Sequence, residues 1–270
     1  MASAHDLDVV LVVGGCGYLG SNLVKDLLAE PKCSAIHVVS RRPNQNIFPG
    51  VTYHSGNISN SQEMTSLFSE IKPRVIFHTA FPKDTAPEKL LNQTNVYGTR
   101  ILLKLANETA SVRAFVYTST DSALQQMPGF KQTEEIAKLH THASKATPYA
   151  KTKAIADFEV QAAHTPPTLS TAVIRIPGLH GENDDNCVGT LLNTIKKDGH
   201  KIEIGNNKPL FEFVYVEKAC EAHILAAKML LANDTLVGGQ AFFISDEVIL
   251  PYFDFARKLY AGAGHPVPED

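Results

Sequence analysis

The chain has no tryptophan, four cysteines in 270 residues, and no apolar run approaching the about 20 residues needed to cross a bilayer. Cys16, Cys33, Cys187 and Cys220 are scattered and form no Cys-x-x-Cys pair, so neither a disulfide framework nor a zinc site is expected. His140 and His142 have no Cys, Asp or Glu partner at ligand spacing, so they are read as exposed loop histidines with no metal site. A net charge of −3 with no basic run gives no electrostatic footprint for nucleic acid. Met1–Asp6 lacks the basic and apolar regions of a secretory signal, and cytoplasmic residence without a membrane span is the expectation.

What the chain does have is alternation. Apolar, β-branched runs at Val9–Val13, Ile36–Ser40, Val75–His78, Ala114–Thr118 and Thr171–Ile176 are separated by helical patterns at Tyr18–Glu30, Ser61–Glu70, Glu88–Thr109 and Pro148–His164. Near-continuous apolar strands between helices predict a parallel sheet covered on both faces, hence a doubly wound α/β (Rossmann) fold with ligand at the carboxyl ends of the strands. Residues 1–176 are expected to form the dinucleotide-binding domain. Residues 177–270 are expected to form a small, interleaved substrate lobe, with 211–235 packing back on the main sheet. Within the lobe the pattern predicts a helix over Cys187–Lys197, extended chain over Lys201–Gly205 and Phe211–Val216, a helix over Glu217–Leu231, a short strand Ala241–Ile244 and a helix Tyr252–Ala261. Glu182, Asp184 and Asp185 read as a solvated loop with helix N-terminal charge.

Gly14, Gly17 and Gly20 follow the first strand and open the first helix, the context in which a glycine pattern becomes a pyrophosphate loop. The glycines allow the tight turn, and the free amides at the helix start around Tyr18 and Leu19 suit a diphosphate. The second strand ends Ser40-Arg41-Arg42, where an NAD site would carry an acid; guanidinium groups suit a 2′-phosphate, so NADP(H) is the expected cofactor. Asn57, followed by Ile58 after the third strand, is placed either at the adenine amino group or in a turn.

Tyr149 and Lys153 lie four apart, on one face of a helix that starts at Thr147-Pro148. A phenol titrates near about pH 10, and a neighbouring ammonium lowers that value, which would let Tyr149 exchange a proton with a substrate oxygen. The strand before this helix ends in the hydroxyl cluster Thr118-Ser119-Thr120-Asp121-Ser122. Asp121 is read as a cap or turn contact, with a second acid as the alternative.

The glycine loop, the hydroxyl cluster and Tyr-x-x-x-Lys occur in the order of the extended short-chain dehydrogenase/reductases. With His78-Thr79-Ala80, Asn95-Val96-Tyr97-Gly98-Thr99, Arg175-Ile176-Pro177-Gly178-Leu179-His180-Gly181, Phe213-Val214-Tyr215-Val216-Glu217 and Gln240–Asp246, the chain resembles the 3β-hydroxysteroid dehydrogenase and sterol-4α-carboxylate decarboxylating branch. The resemblance implies that Tyr149 is the acid/base and that Thr120, with Ser119 as the alternative, binds the substrate oxygen. It implies that Lys153 holds the nicotinamide ribose and lowers the Tyr149 pKa. Ala80, Thr118 and Pro177 are implied along the cofactor's path, and Asn95 is implied either to hold the backbone of an adjacent loop or to contact the cofactor. Asn57 stands where an Asp is more usual, and the chain ends at Asp270 where extended members generally continue, which implies a trimmed lobe.

The favoured activity is NADP(H)-dependent reduction of a ketone, or oxidation of the alcohol, on a moderately apolar cyclic or aromatic small molecule. The alternatives are an isomerase, epimerase, dehydratase or decarboxylating dehydrogenase on the same scaffold, or a non-catalytic dinucleotide sensor. A homodimer is an assembly open to such a chain.

Overall fold

The computed structural model describes residues 6–127, 132–233 and 235–267. The reading of Met1–His5 lies outside the described residues. Seven strands form one sheet in the order β3-β2-β1-β4-β5-β6-β9, every neighbouring pair parallel. They are β1 (Asp8–Val13), β2 (Cys33–Ser40), β3 (Val51–Ser55), β4 (Val75–His78), β5 (Ala114–Thr120), β6 (Ser170–Ile176) and β9 (Ala241–Phe243).

Alternation along the strands builds both layers. Val10 and Val12 of β1, with Val116 of β5 and Ile174 of β6, pack under α1 (Tyr18–Leu28) and α7 (Val216–Leu231). Leu11 and Val13, with Phe115, Tyr117 and Val173, pack under α2 (Ser61–Ile71), α4 (Thr99–Glu108) and α5 (Pro148–Ala162). The strands are apolar throughout because each face has its own helical cover. Helix starts follow local chemistry. Asn60 accepts from the amides of Gln62 and Glu63, and its side-chain amide donates to Glu63. The Thr147 hydroxyl accepts from Ala150 N–H, with Pro148 in the first turn.

The helix expected over Glu88–Thr109 is broken into α3 (Glu88–Leu91), a wider i→i+5 segment (Asn92–Gly98) and α4. Gly98 ends that segment, where a Cβ would come within 2.6 Å of Ile58 Cγ1. The lobe has its own sheet, β10-β8-β7, made of β7 (Gly178–His180), β8 (Leu210–Tyr215) and β10 (Val248–Pro251). Neither β7 nor β10 was expected, since each is short and held by pairing with distant β8. Phe213 of β8 stacks on Phe255 of α8 (Tyr252–Gly262) at 3.6 Å between ring centroids, and Leu191 of α6 (Val188–Ile195) completes this smaller core. Of the extended chain expected over Lys201–Gly205, Lys201 closes a single 3-10 turn (Gly199–Lys201) and Ile202 after it is extended, with no strand among the described residues pairing with this segment. No helix among the described residues is long and apolar enough to cross a membrane.

One buried ion pair fastens α5 to the sheet. Asp157 accepts from Arg175 Nε and from an Arg175 terminal nitrogen at 2.9 and 3.0 Å, with both side chains at 5% exposure or less. Gln161 donates to the same carboxylate at 2.6 Å. Breaking a buried pair leaves an uncompensated charge, so Asp157→Ala is expected to cost about 3–5 kcal/mol in urea unfolding. A loss of about 1 kcal/mol or less, the scale of surface pairs, would show that the pair does not carry this anchoring.

Candidate active site

The sheet order reverses between β1 and β4, which opens a crevice at the carboxyl ends of those strands. Gly14 turns the chain there with φ of 87°, and a Cβ on it would lie 2.7 Å from Ala80 Cα. Gly20 faces the turn so closely that its Cβ would lie 2.8 Å from Gly15 Cα. Gly17 differs: it is exposed, starts α1, and no side chain caps the helix amides after it. The result is an open helix N-terminus behind a tight turn, which fits a diphosphate. Leu19 is 5% exposed and sits in the core, so only its backbone faces the crevice. Tyr18 points the other way. Its buried hydroxyl lies where a Cβ on Gly181 would be 2.9 Å away, and burial followed by the charge of Asp184 pushes its pKa up.

Ser40 is half-buried at the end of β2, while Arg41 and Arg42 are exposed and make no ion pair among the described residues. Of the two places open to Asn57, its side-chain carbonyl occupies the turn, accepting from the Ser59 amide at 3.1 Å and the Ser59 hydroxyl at 2.7 Å. Ile58 is buried against Gly98. Pro177 is half-buried between β6 and β7.

The reacting groups gather where β5 ends beside α5. The Thr120 hydroxyl donates to Asp121 at 3.0 Å and accepts from the Ser122 amide at 3.2 Å, and it stands close enough to the Tyr149 phenol to favour its ionised form. Ser119 is 3% exposed, and its hydroxyl finds no partner among the described residues. Burial is the main cause that raises the Tyr149 pKa; the carboxylates of Asp84 and Asp121 add to it, and the Thr120 hydroxyl opposes it. The lowering expected from Lys153 is absent in this arrangement. Lys153 is 1% exposed, donates to the Thr118 carbonyl at 2.5 Å, and lies 4.2 Å from the Tyr117 ring centroid and 5.5 Å from that of Phe81. Burial pulls its own pKa down to about 7, against the pull of Asp157.

Thr118 is held on both sides. His223 Nδ1 is 2.7 Å from the Ala219 carbonyl, which only accepts, so that nitrogen carries the proton and Nε2 accepts from the Thr118 hydroxyl at 2.7 Å. Burial pushes the His223 pKa down to about 4, consistent with the neutral ring. Asn95, 1% exposed in the widened helical segment, donates to Thr152 on α5 at 3.0 Å, while its side-chain oxygen Oδ1, unlike its main-chain carbonyl, lacks a partner among the described residues. His78 donates from Nε2 to Thr99, because the Thr99 hydroxyl is already committed to the Asn95 carbonyl.

Sequence reasoning missed Asp84 and Phe81, which come from the irregular chain after β4 and reach Tyr149 and Lys153 only in three dimensions. It missed His223 for the same reason. Asp157 was findable, since it continues the four-residue spacing of Tyr149 and Lys153. Asp184 is a correction to the solvated-loop reading: it is 3% exposed and accepts from the amides of Asn186, Cys187 and Val188, which offset its burial. His142 is exposed as expected, whereas His140 is half-buried with one ring nitrogen enclosed.

The model of the 3-beta hydroxysteroid dehydrogenase/isomerase family matches residues 11–270. A Gibberella zeae protein named sterol-4-alpha-carboxylate 3-dehydrogenase, decarboxylating, is 41% identical over 222 residues, 79% of this chain and 72% of its own length. Its Schizosaccharomyces pombe counterpart is 31% identical over 269 residues, 97% of this chain and 76% of its own. Among solved structures, Thermus thermophilus UDP-glucose 4-epimerase in complex with NAD superposes with a TM-score of 0.78 at 21% identity, over 96% of this chain and 85% of that one, and shares the fold.

The buried ammonium has a measurable signature. Between pH about 7 and 10.5 the unfolded chain keeps the Lys153 proton and the folded chain does not, so stability rises with pH across that window. Lys153→Met is therefore expected to melt above the parent near pH 7, with the gap closing towards pH 10. Thermal melts of both proteins across that range check it; parallel curves would show that Lys153 keeps its ordinary pKa.

Proposed function

The chain belongs to the 3-beta hydroxysteroid dehydrogenase/isomerase family, within the short-chain dehydrogenase/reductases, and on that premise we propose that it oxidises the 3-hydroxyl of a sterol bearing a carboxyl on carbon 4 and releases that carboxyl as carbon dioxide. The observation that carries this reading is the meeting of the Tyr149 phenol and the Thr120 hydroxyl at the end of β5, with Lys153 one turn further along α5. It fits a reaction in which one oxygen loses a proton and later carries negative charge. The two relatives are named for this reaction, so the decarboxylating alternative replaces simple ketone reduction as the main reading.

The bound dinucleotide would accept hydride and bring a positively charged ring to the crevice. Tyr149 would take the substrate hydroxyl proton as its phenolate, the form that the positive ring and Thr120 would favour against the burial that raises its pKa, with Thr120 fixing the same oxygen. Once carbon 3 is a ketone, the carboxylate lies β to it, and loss of carbon dioxide sends an electron pair towards the ketone oxygen. Tyr149, now protonated, and Thr120 stabilise that oxygen as charge develops. Departure of the gas draws the reaction towards oxidation. Gly14, Gly17 and Gly20 with the start of α1 would hold the diphosphate, and Lys153 the ribose. The free guanidinium groups of Arg41 and Arg42 support NADP over NAD.

The test is to supply a 3β-hydroxy-4-carboxysterol with oxidised cofactor and follow reduced cofactor and carbon dioxide together. Equal yields are expected; reduced cofactor without carbon dioxide would remove the decarboxylating reading. Tyr149→Phe is expected to slow turnover about 10²–10⁴-fold while dinucleotide titration stays unchanged. Arg41→Ala is expected to weaken NADP binding by about 1.5–3 kcal/mol and to leave NAD binding alone. Equal losses for both cofactors would take the 2′-phosphate away from Arg41.

A further inference from the structure

Oxidation and decarboxylation leave one step without an assigned group. The carbon that loses its carboxyl must gain a proton, and Tyr149 and Thr120 are engaged with the oxygen one carbon away. Asp121 stands next to them. It is the first residue beyond β5, its side chain is exposed at the crevice, and its carboxylate is 3.0 Å from the Thr120 hydroxyl and 3.3 Å from that of Ser122. It follows Thr120 directly, at the strand end beside the Tyr149 phenol whose pKa its carboxylate raises. It forms no ion pair among the described residues.

We propose that Asp121 is the acid that protonates carbon 4 of the substrate after carbon dioxide leaves, a role that rests on the decarboxylating reading above. The bond from carbon 4 to the carboxyl carbon breaks, and its electron pair becomes the double bond between carbons 3 and 4 of an enolate. The enolate collapses to the ketone as carbon 4 takes the Asp121 proton. Asp121 is left as a carboxylate and regains a proton from solvent, to which it is open. A carboxyl 3.0 Å from the hydroxyl that holds the substrate oxygen is within reach of the neighbouring carbon. Its surroundings raise the Asp121 pKa more than the hydrogen bonds with Thr120 and Ser122 lower it, which is the direction an acid requires. With the Thr120 hydroxyl turned to the substrate oxygen, the hydrogen bond from Ser122 limits where the carboxyl can point, so the proton arrives on one face of the carbon.

The experiment runs the reaction in D₂O with a 4-carboxysterol and traps the ketone at once with borohydride. Reduced cofactor, carbon dioxide and the face of carbon 4 that carries deuterium are measured per turnover for the parent, Asp121→Asn and Asp121→Glu. The parent is expected to place deuterium on a single face. Asp121→Asn, which keeps an acceptor for Thr120 and has no proton to give, is expected to place it on both faces in similar amounts, and Asp121→Glu to restore the single face. Reduced cofactor formed by Asp121→Asn reports that the variant is folded. Single-face labelling by Asp121→Asn, with normal yields of reduced cofactor and carbon dioxide, would overturn the role of Asp121 alone. A parent enzyme that forms no reduced cofactor with the 4-carboxysterol would overturn the proposed function, and this role with it.

Discussion

The Asp157 carboxylate is the constraint on which the site depends. It sits one turn beyond Lys153 on α5, grips Arg175 of β6 with two hydrogen bonds, and receives a third from Gln161. That grip sets the height of α5 against the sheet, and with it the position of Tyr149 over the end of β5. It is also the favourable charge acting on Lys153, whose ammonium is otherwise enclosed by Tyr117, Phe81 and a carbonyl. Arg175 in turn lies 5.7 Å from the centroid of the Phe243 ring, so the pair reaches β9 at the far edge of the sheet.

The parts of this arrangement that were legible in the sequence are those set by local periodicity or by a short motif. Strands covered on both faces read as apolar runs, and the main parallel sheet followed from them. The glycine turn was visible because Gly14 turns the chain with a positive φ and Gly20 is demanded by the backbone of Gly14 and Gly15 a few residues before it, whereas the approach of Ala80 to Gly14 comes from distant chain. What stayed hidden depends on distant chain. β7 and β10 are strands only because β8 lies between them. The widened segment Asn92–Gly98 has an unremarkable helical pattern, and the extra backbone residue leaves no mark in it. Asp184 is a loop acid by pattern and a buried cap in space.

The same limit applies to charge. From spacing, Lys153 should act on Tyr149 as a nearby cation. In the fold both groups are desolvated, so the phenol rises and the ammonium falls, and the charges that reach the phenol are Asp84 and Asp121. Spacing identifies which side chains share a helical face; the dielectric around them and the carboxylates opposite are contributed by β5 and by irregular chain. Tyr18 shows the converse, a motif residue whose side chain serves the join to the lobe while its backbone stays at the helix start.

Thr118 gives its carbonyl to Lys153 beneath α5 and its hydroxyl to His223 of α7, on the opposite face of the sheet. Because β8 runs directly into α7, the segment that builds the lobe and the helix that bears the chemistry meet at a single strand position. A residue answering to two neighbours has few acceptable replacements. Valine would match the shape and leave His223 without its donor; serine would keep the donor and lose the methyl that fills the space. Position 118 is thus a hinge of sequence variation, where change in one layer has to be matched in the other.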